Sequence, residues 1–464
     1  MNKSYVKPLF IFRRDLRLAD NTALIHALAN SDKTLPCFIF DPRLIEQAQP
    51  HLNAIQFMME ALDDLDAQLK KKKSQLLYLL GIPEKIIPSL LTEYEIDGLY
   101  INRDYSPFSR RRDTQIKQIC KDYKVGFHSF GDSLLNEPEM IFTGKTKPYK
   151  IFTPFFKKAS ARPISTPKEN TYTNYLKTSK APQKPKIGII KQIRTKPNES
   201  LLVQGNRAAC LDILSNLSRY KNYQTTRDFP NQHGTTRLST YIKFGLCSIR
   251  EVYHAITKHL GTNHPLIRQL YWRDFYTHIA FHFPYVFKNA FKSRYDSLQW
   301  NYSQTLFEMW CQGNTGFPIV DAGMRELNTT GWMHNRVRMI VGSFLTKDLH
   351  IDWRWGERYF AQHLTDYDPC VNNGNWQWAA STGADAQPYF RIFNPWRQQE
   401  KYDVKCEYIK KWIPELSDLQ PKLIHRWFKP TPFDSQINYP KPIVNHKEES
   451  QYSKELFATT SLNR

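Results

Sequence analysis

Cysteine is sparse in this chain of 464 residues: Cys37, Cys120, Cys210, Cys247, Cys311, Cys370 and Cys406 are scattered, odd in number and never in CxxC spacing. Neither a disulfide framework nor a zinc or other metal site is indicated, and a reducing cytosol fits best. No apolar run approaches the length of a bilayer span, and the start MNKSYVKPLF passes into strand-like sequence without a signal-peptide pattern. A cytoplasmic protein with no membrane partner is therefore expected. No GxGxxG follows the first apolar run, which disfavours an ordinary dinucleotide dehydrogenase. Acidic residues are also few, 44 against 65 basic ones, leaving a formal charge of +21.

That excess is unevenly placed. Residues 1–150 hold 22 basic and 19 acidic side chains, whereas residues 151–200 hold 11 and 2. A polyanion such as nucleic acid, engaged by the later part of the chain and sensitive to salt, is the natural partner. A merely solvated, lysine-rich connection is the plainer alternative.

The length suits two domains. Short apolar runs at LFIF (near Leu9), LPCFIF (near Leu35), LLYLL (near Leu76), GLYI (near Gly98) and VGFHSF (near Val125) read as parallel strands. Between them, Ile55, Met58, Leu62, Leu65 and Leu69 recur at helical spacing, and Thr114, Lys117 and Lys121 mark a more polar helix. This predicts a doubly wound α/β domain over residues 1–130. Residues 131–200, rich in Pro, Lys, Ser and Thr toward their end, read as an interdomain connection. From Leu201 onward apolar residues fall at helical spacing without convincing strand runs, so residues 201–464 are expected to form an all-helical domain.

What is abundant is tryptophan. All eleven lie between Trp272 and Trp427. Indoles gathered in one half of a chain stack on aromatic ligands, fill a very large core or carry electrons. In HGTTRLSTYIKFG, Gly234, Thr235, Thr236 and Ser239 precede a helical pattern, where backbone N–H groups can receive a phosphate; an ordinary helix cap would look the same. In PLIRQLYWRDFY, Gln269, Trp272 and Arg273 are spaced i, i+3 and i+4 on one helical face. They can hydrogen-bond a pyrimidine edge, stack on it and meet a phosphate, or form a helix with one core Trp and a surface Arg. Asn335 and Met339 share a face in GWMHNRVRMI, while Trp376 and Trp378, two apart, cannot.

The ordered run from Trp332 to Phe393, with TDYDP and NNGNWQW, resembles the flavin-binding domain of the DNA photolyase/cryptochrome family, and the resemblance extends over nearly the whole chain. It is closest to photolyases that repair cyclobutane pyrimidine dimers. The resemblance implies an N-terminal α/β antenna domain, a helical domain holding one non-covalent FAD, ultraviolet-damaged DNA as partner, and a monomer with no obligate protein partner, nucleoid-associated if the source is bacterial. By position it implies flavin contacts from Tyr223, Thr235, Thr236, Arg237, Leu238, Ser239, Leu266, Arg273, Asn335, Arg338, Asp366, Asp368 and Asn372, with Asp366 paired to Arg338. Asn372 stands at the flavin's central-ring nitrogen, where a neutral amide favours repair over signalling. Trp376, Trp353 and Trp300 match an electron-hopping chain ending near the surface. Arg227, Gln269, Trp272, Arg273, Asn335, Arg336, Met339, Trp378 and Gln398 are implied at the DNA or the lesion. Arg13, Arg14, Asp15 and Arg17 match structural ion pairs.

Two departures matter. Gln269 replaces the Glu usual in dimer photolyases, whereas six-four photolyases and animal cryptochromes usually carry Gln. Six-four photolyases, however, resemble one another in having histidines at the positions of Asn335 and Met339, and His334 points elsewhere. Dimer repair is therefore expected, with a six-four photolyase or a cryptochrome photoreceptor as the alternatives. Ser109 stands where folate-binding members often carry Glu, so the antenna pigment is open among deazaflavin, folate, a second flavin or none.

Overall fold

A computed structural model describes residues 3–45, 52–177, 195–430 and 435–462, with single residues 188, 191 and 433. All five apolar runs form strands: β1 (Leu9–Phe12), β2 (Leu35–Phe40), β3 (Leu77–Leu80), β4 (Gly98–Asn102) and β5 (Gly126–Phe130). They pair in parallel in the order β3-β2-β1-β4-β5. Every residue of β1, β2 and β4 is buried. Helices cover both faces of such a sheet, so its central strands read as unbroken apolar runs.

The covering helices are α1 (Thr22–Ala29), α2 (Leu52–Lys71), α3 (Pro83–Glu93) and α4 (Pro107–Asp122). On α2, Ile55, Leu62, Leu65 and Leu69 are buried as their spacing predicts. On α4 the inward face is Ser109, Arg112, Ile116 and Cys120; Thr114, Lys117 and Lys121 face solvent.

Residues 131–177 are more than a connection. Phe142–Thr143 and Lys147–Pro148 form a small antiparallel pair, and α5 (Phe152–Ser160) buries Phe152, Phe155 and Ala159. The chain then returns to the sheet, where Thr34 and Tyr175 form a bridge and Asp20 N–H donates to the Lys168 carbonyl at 2.8 Å. The aromatic side chains of IFTPFF supply an apolar face that a composition average hides. The Lys- and Pro-rich piece at 178–187 lies outside the described residues.

From residue 201 the described chain is helical, with an isolated bridge between Asn301 and Ile351. Its principal helices are α6 (Arg207–Ser215), α7 (Ser239–Phe244), α8 (Ile249–Leu260), α9 (Pro265–His282), α10 (Gln304–Gln312), α11 (Pro318–Thr330), α12 (Asn335–Lys347), α13 (Trp353–His363), α14 (Pro369–Ala379), α15 (Pro395–Tyr402) and α16 (His446–Leu462). The expected α/β-plus-helical architecture is present.

Buried ion pairs join the two parts. Arg17 meets Asp132 at 2.6 Å, and Arg250 of α8 meets Asp132 at 2.8 Å and Asp20 at 2.9 Å. Arg13 pairs with Asp113 at 2.6 Å, and Arg14 with Asp104 at 3.2 Å. Burial opposes ionisation of Asp132, but Arg17 and Arg250 outweigh it and hold the carboxyl down to about 2. Arg13, Arg14 and Arg17 of FRRDLRLADN thus make the ion pairs their resemblance implied, whereas Asp15 accepts hydrogen bonds from Arg13 N–H at 2.7 Å and Asn102 Nδ2 at 2.5 Å.

Candidate functional site

The centre of the helical domain is built where α9 crosses α14. A Cβ on Gly374 would lie 2.1 Å from the Tyr276 ring, so glycine is what lets these helices touch. The contact brings together the helix bearing Gln269, Trp272 and Arg273 and the helix bearing Asn372, Trp376 and Trp378. Asp368 caps α14, its carboxylate accepting from Cys370 N–H at 3.0 Å and Val371 N–H at 3.1 Å, with Pro369 in the first turn. The same carboxylate binds Arg14 of the α/β domain. Burial disfavours its charge, yet Arg14 and then Arg273 hold it below the usual carboxylate range. Asp368 therefore positions Asn372 from behind, through the cap.

Asn372 is buried, and its Nδ2 donates to the Glu357 carbonyl at 3.0 Å and to Glu357 Oε1 at 3.4 Å. Burial pushes the Glu357 carboxyl up to about 7, with Asn372 opposing. Nothing in the sequence singled out Glu357; the available signal is its position four residues after Trp353 on α13. Beside this pair, Arg338 makes a fork to Asp366 at 3.2 and 3.1 Å and anchors its Nε on the Met333 carbonyl at 2.8 Å. The predicted Arg338–Asp366 pair is present.

On the same helix Asn335 Nδ2 lies 3.7 Å from Met339 Sδ, so the two share one face. His334 is the N-cap of α12, its Nδ1 accepting from Arg336 N–H at 3.2 Å. Burial pushes its pKa down to about 4. A cap needs the neutral ring's lone pair, so this histidine is structural.

Trp272 is half-buried and stacks on Phe152 of α5 at 3.6 Å with planes 6° apart. Phe152, which the sequence reading missed, is a wall supplied by the other half of the chain. Gln269 and Trp378 are half-buried, as is Gln398, whose Oε1 lacks a hydrogen-bond partner. Arg227 lies over the Tyr223 ring at 5.8 Å, and Tyr223 is buried against His264 at 6.0 Å.

Two of the expected arginines also have partners within the protein. Arg336 is held by Asp228 at 2.8 Å and lies over the Tyr402 ring at 4.4 Å, with 14% of its side chain exposed. Arg273 donates to the Ser133 carbonyl and so fastens α9 to the segment after β5. Both carry the charge that suggested a phosphate, but each finds a partner distant in sequence.

The phosphate-type segment lies over a cavity of about 310 Å³ lined by Thr235, Thr236, Arg237, His233, Arg219 and Tyr241 among others. Arg237 has φ 55°, in the left-handed region, which turns the chain just before Ser239 begins α7. Its guanidinium lies 4.9 Å over Trp332. Leu238 and Leu266 are buried. Among the described residues, Thr240 Oγ1 in the first turn of α7 is buried without a partner, which in a native protein signals a missing polar neighbour. The Thr235 and Thr236 hydroxyls with Arg219 and Arg237 along the cavity fit a phosphate-bearing cofactor such as FAD.

Comparison with known proteins decides the matter. A family model described as DNA photolyase matches residues 9–172, and one described as the FAD binding domain of DNA photolyase matches residues 266–459. The chain belongs to the DNA photolyase family. It is 36% identical to a deoxyribodipyrimidine photo-lyase of Synechococcus sp., over 97% of this chain and 96% of that one. Among solved structures it is similar to a class III photolyase from Agrobacterium tumefaciens (TM-score 0.91, 34% identity, 98% of each chain). It is also similar to an archaeal photolyase from Sulfolobus tokodaii that holds two FAD molecules (TM-score 0.87, 39% identity, 98% of this chain and all of that one). No described helix is long and apolar enough to cross a membrane, and no described cluster of His, Cys, Asp or Glu could hold a metal ion.

Proposed function

We propose that this protein is a carbon–carbon lyase that uses light to split cyclobutane pyrimidine dimers in DNA. The observation that carries the reading is the crossing of α9 and α14, which sets Gln269 and Trp272 against the helix of Asn372, Trp376 and Trp378. When bound, FAD supplies the photochemical electron that opens the cyclobutane ring and takes it back afterwards. The chain's own groups bind, orient and tune. Thr235, Thr236, Arg237 and Ser239 receive the phosphates, Leu238, Leu266 and Tyr223 pack on the cofactor, and Arg338 with Asp366 flanks it. Asn372 holds an amide toward it from a fixed backing, Glu357. Arg227 and Gln398 meet the DNA, and the flipped dimer is received by Gln269, Trp272, Trp378, Asn335 and Met339 at a lower unstacking cost than intact bases require.

Dimers are favoured over six-four lesions because the Asn335/Met339 face carries no acid or base and the adjacent His334 is a buried, neutral cap. A blue-light receptor role is disfavoured by the amide at Asn372. On this reading the protein is a cytoplasmic monomer, nucleoid-associated if its source is bacterial. For the antenna, Ser109 is spent in the α4 cap, donating to Asp104 Oδ2 at 3.1 Å, and offers no carboxylate to folate. The two flavins of the Sulfolobus relative make a second flavin the reading to test first. Illuminating purified protein with thymine-dimer oligonucleotides should restore intact thymines, and mass identification of released pigments should give FAD. A protein that binds FAD but leaves dimers intact under blue light overturns the assignment.

A further inference from the structure

We propose that Trp376 is supplied with electrons by a second route, through Trp310 and Trp355 to Tyr302, with Tyr302 as the point where that route meets solvent. This rests on the photolyase reading, which makes Trp376 the cofactor's electron donor, and adds a branch distinct from the Trp353–Trp300 arm.

The rings define the branch. Trp376 meets Trp310 edge to face with centroids 6.2 Å apart. Trp310 stacks on Phe307 at 5.8 Å with planes 19° apart, and Phe307 meets Trp355 edge to face at 5.1 Å. Trp355 in turn lies 6.1 Å from Tyr302. Edge-to-face and offset rings at such centroid distances are in or near van der Waals contact, and electron transfer falls steeply as rings separate. Only Phe307, which does not itself oxidise readily, intervenes between the two indoles. Among the described residues, Trp376's ring contacts are Trp310 and Phe360; Trp353 is not one of them.

Three features give the branch a direction. Trp310 is wholly buried, and its indole N–H donates to the Val341 carbonyl at 3.2 Å, which stabilises a positive charge on the ring. Tyr359 also touches Trp310, at 5.6 Å, but its hydroxyl donates to the Cys311 carbonyl at 3.0 Å and Asn328 Oδ1 at 2.7 Å. Neither oxygen can keep a proton, so that side path is closed. Tyr302 is 64% exposed, whereas Trp300, the end of the other arm, is 8% exposed and meets Phe457 of α16 edge to face at 6.3 Å.

The electrons balance as follows. After Trp376 has given one electron to the photoexcited oxidised cofactor, Trp310 refills Trp376, Trp355 refills Trp310, and Tyr302 refills Trp355. Tyr302 loses its phenolic proton to water as its electron leaves, which prevents return. A soluble thiol then gives one electron and one proton to the neutral tyrosyl radical, and two such thiols end as a disulfide.

The test uses FAD-loaded protein carrying Trp353→Phe, which closes the other arm, with Tyr302→Phe or Trp355→Phe added at exposed or half-buried positions. Photoreduction should persist in Trp353→Phe and fall by at least about tenfold when Tyr302→Phe is added. An electron spin resonance signal of a tyrosyl radical and a spin-trap adduct mapped by mass spectrometry to Tyr302 should be lost with it. Abolished photoreduction in Trp353→Phe alone, or persistence in the double variant with the adduct elsewhere, overturns the branch. Dimer repair by chemically reduced wild-type protein is measured alongside: no repair sinks the photolyase reading, whereas repair without a Tyr302 adduct sinks only the branch.

Discussion

At the carboxyl edge of the sheet, Asp132 sits between Arg17 at 2.6 Å and Arg250 at 2.8 Å. Glu357, at the heart of the helical domain, faces the amide of Asn372 and, among the described residues, forms no ion pair. Doubly wound folds usually receive ligands at the strand ends, yet here that edge is filled by the protein's own charges. The helical cradle instead holds an acid, Glu357, whose carboxyl burial pushes up to about 7. Paired charge marks the joint; a buried acid without a cation marks the cradle.

The strongest way to break this contrast is Asp132→Asn. It leaves two arginines buried with one partner fewer, and unfolding in denaturant should show a loss of about 3–5 kcal/mol. A loss below 1 kcal/mol would mean the edge is not the joint. On the helical side, Gly356→Ala places a Cβ 2.2 Å from the Trp376 ring. Overpacking of this kind should cost about 1–3 kcal/mol, and photoreduction of bound flavin should slow because Trp376 is displaced. An unchanged rate would remove Trp376 from electron supply.

Arg227→Ala probes the outward charge of the helical side. The slope of log affinity for dimer-containing duplex against log salt should fall by about 0.9, the share of one phosphate contact; an unaltered slope would confine Arg227 to its contact with Tyr223. The smallest expected effect is that of Glu357→Gln. Because the native carboxyl titrates near 7 rather than at its ordinary 4.5, its contribution to stability is complete below pH 4.5 and is lost as pH rises through 7. Asp132 runs the opposite way: its contribution is present above 3.8 and is lost as pH falls through about 2. Melts across pH should show that Glu357→Gln flattens the neutral-side slope and leaves the acid-side one. A flattened acid side instead would reverse the assignment of the two regions.

The sheet was readable because strands buried on both faces must be apolar throughout, so LFIF and LPCFIF announced themselves without context. The α12 face of Asn335 and Met339 followed from helical spacing, and the Arg338–Asp366 pair from family position. What stayed hidden depends on partners far apart in the chain. The ties of Arg273 to Ser133 and of Arg336 to Asp228 could not be read from their own segments. Glu357 gains its character only because α14 lays Asn372 against it. Phe152 fell in a stretch read as a connection, since proline and lysine masked three aromatic residues.

The pair between Arg14 and Asp368 joins positions 354 residues apart. Contacts of such high order form slowly, since a long loop must close before they repay its entropy. A growing polypeptide must therefore reach back to its own beginning before the turn ahead of Asn372 is secured, so the cradle should mature last, after the sheet has already set.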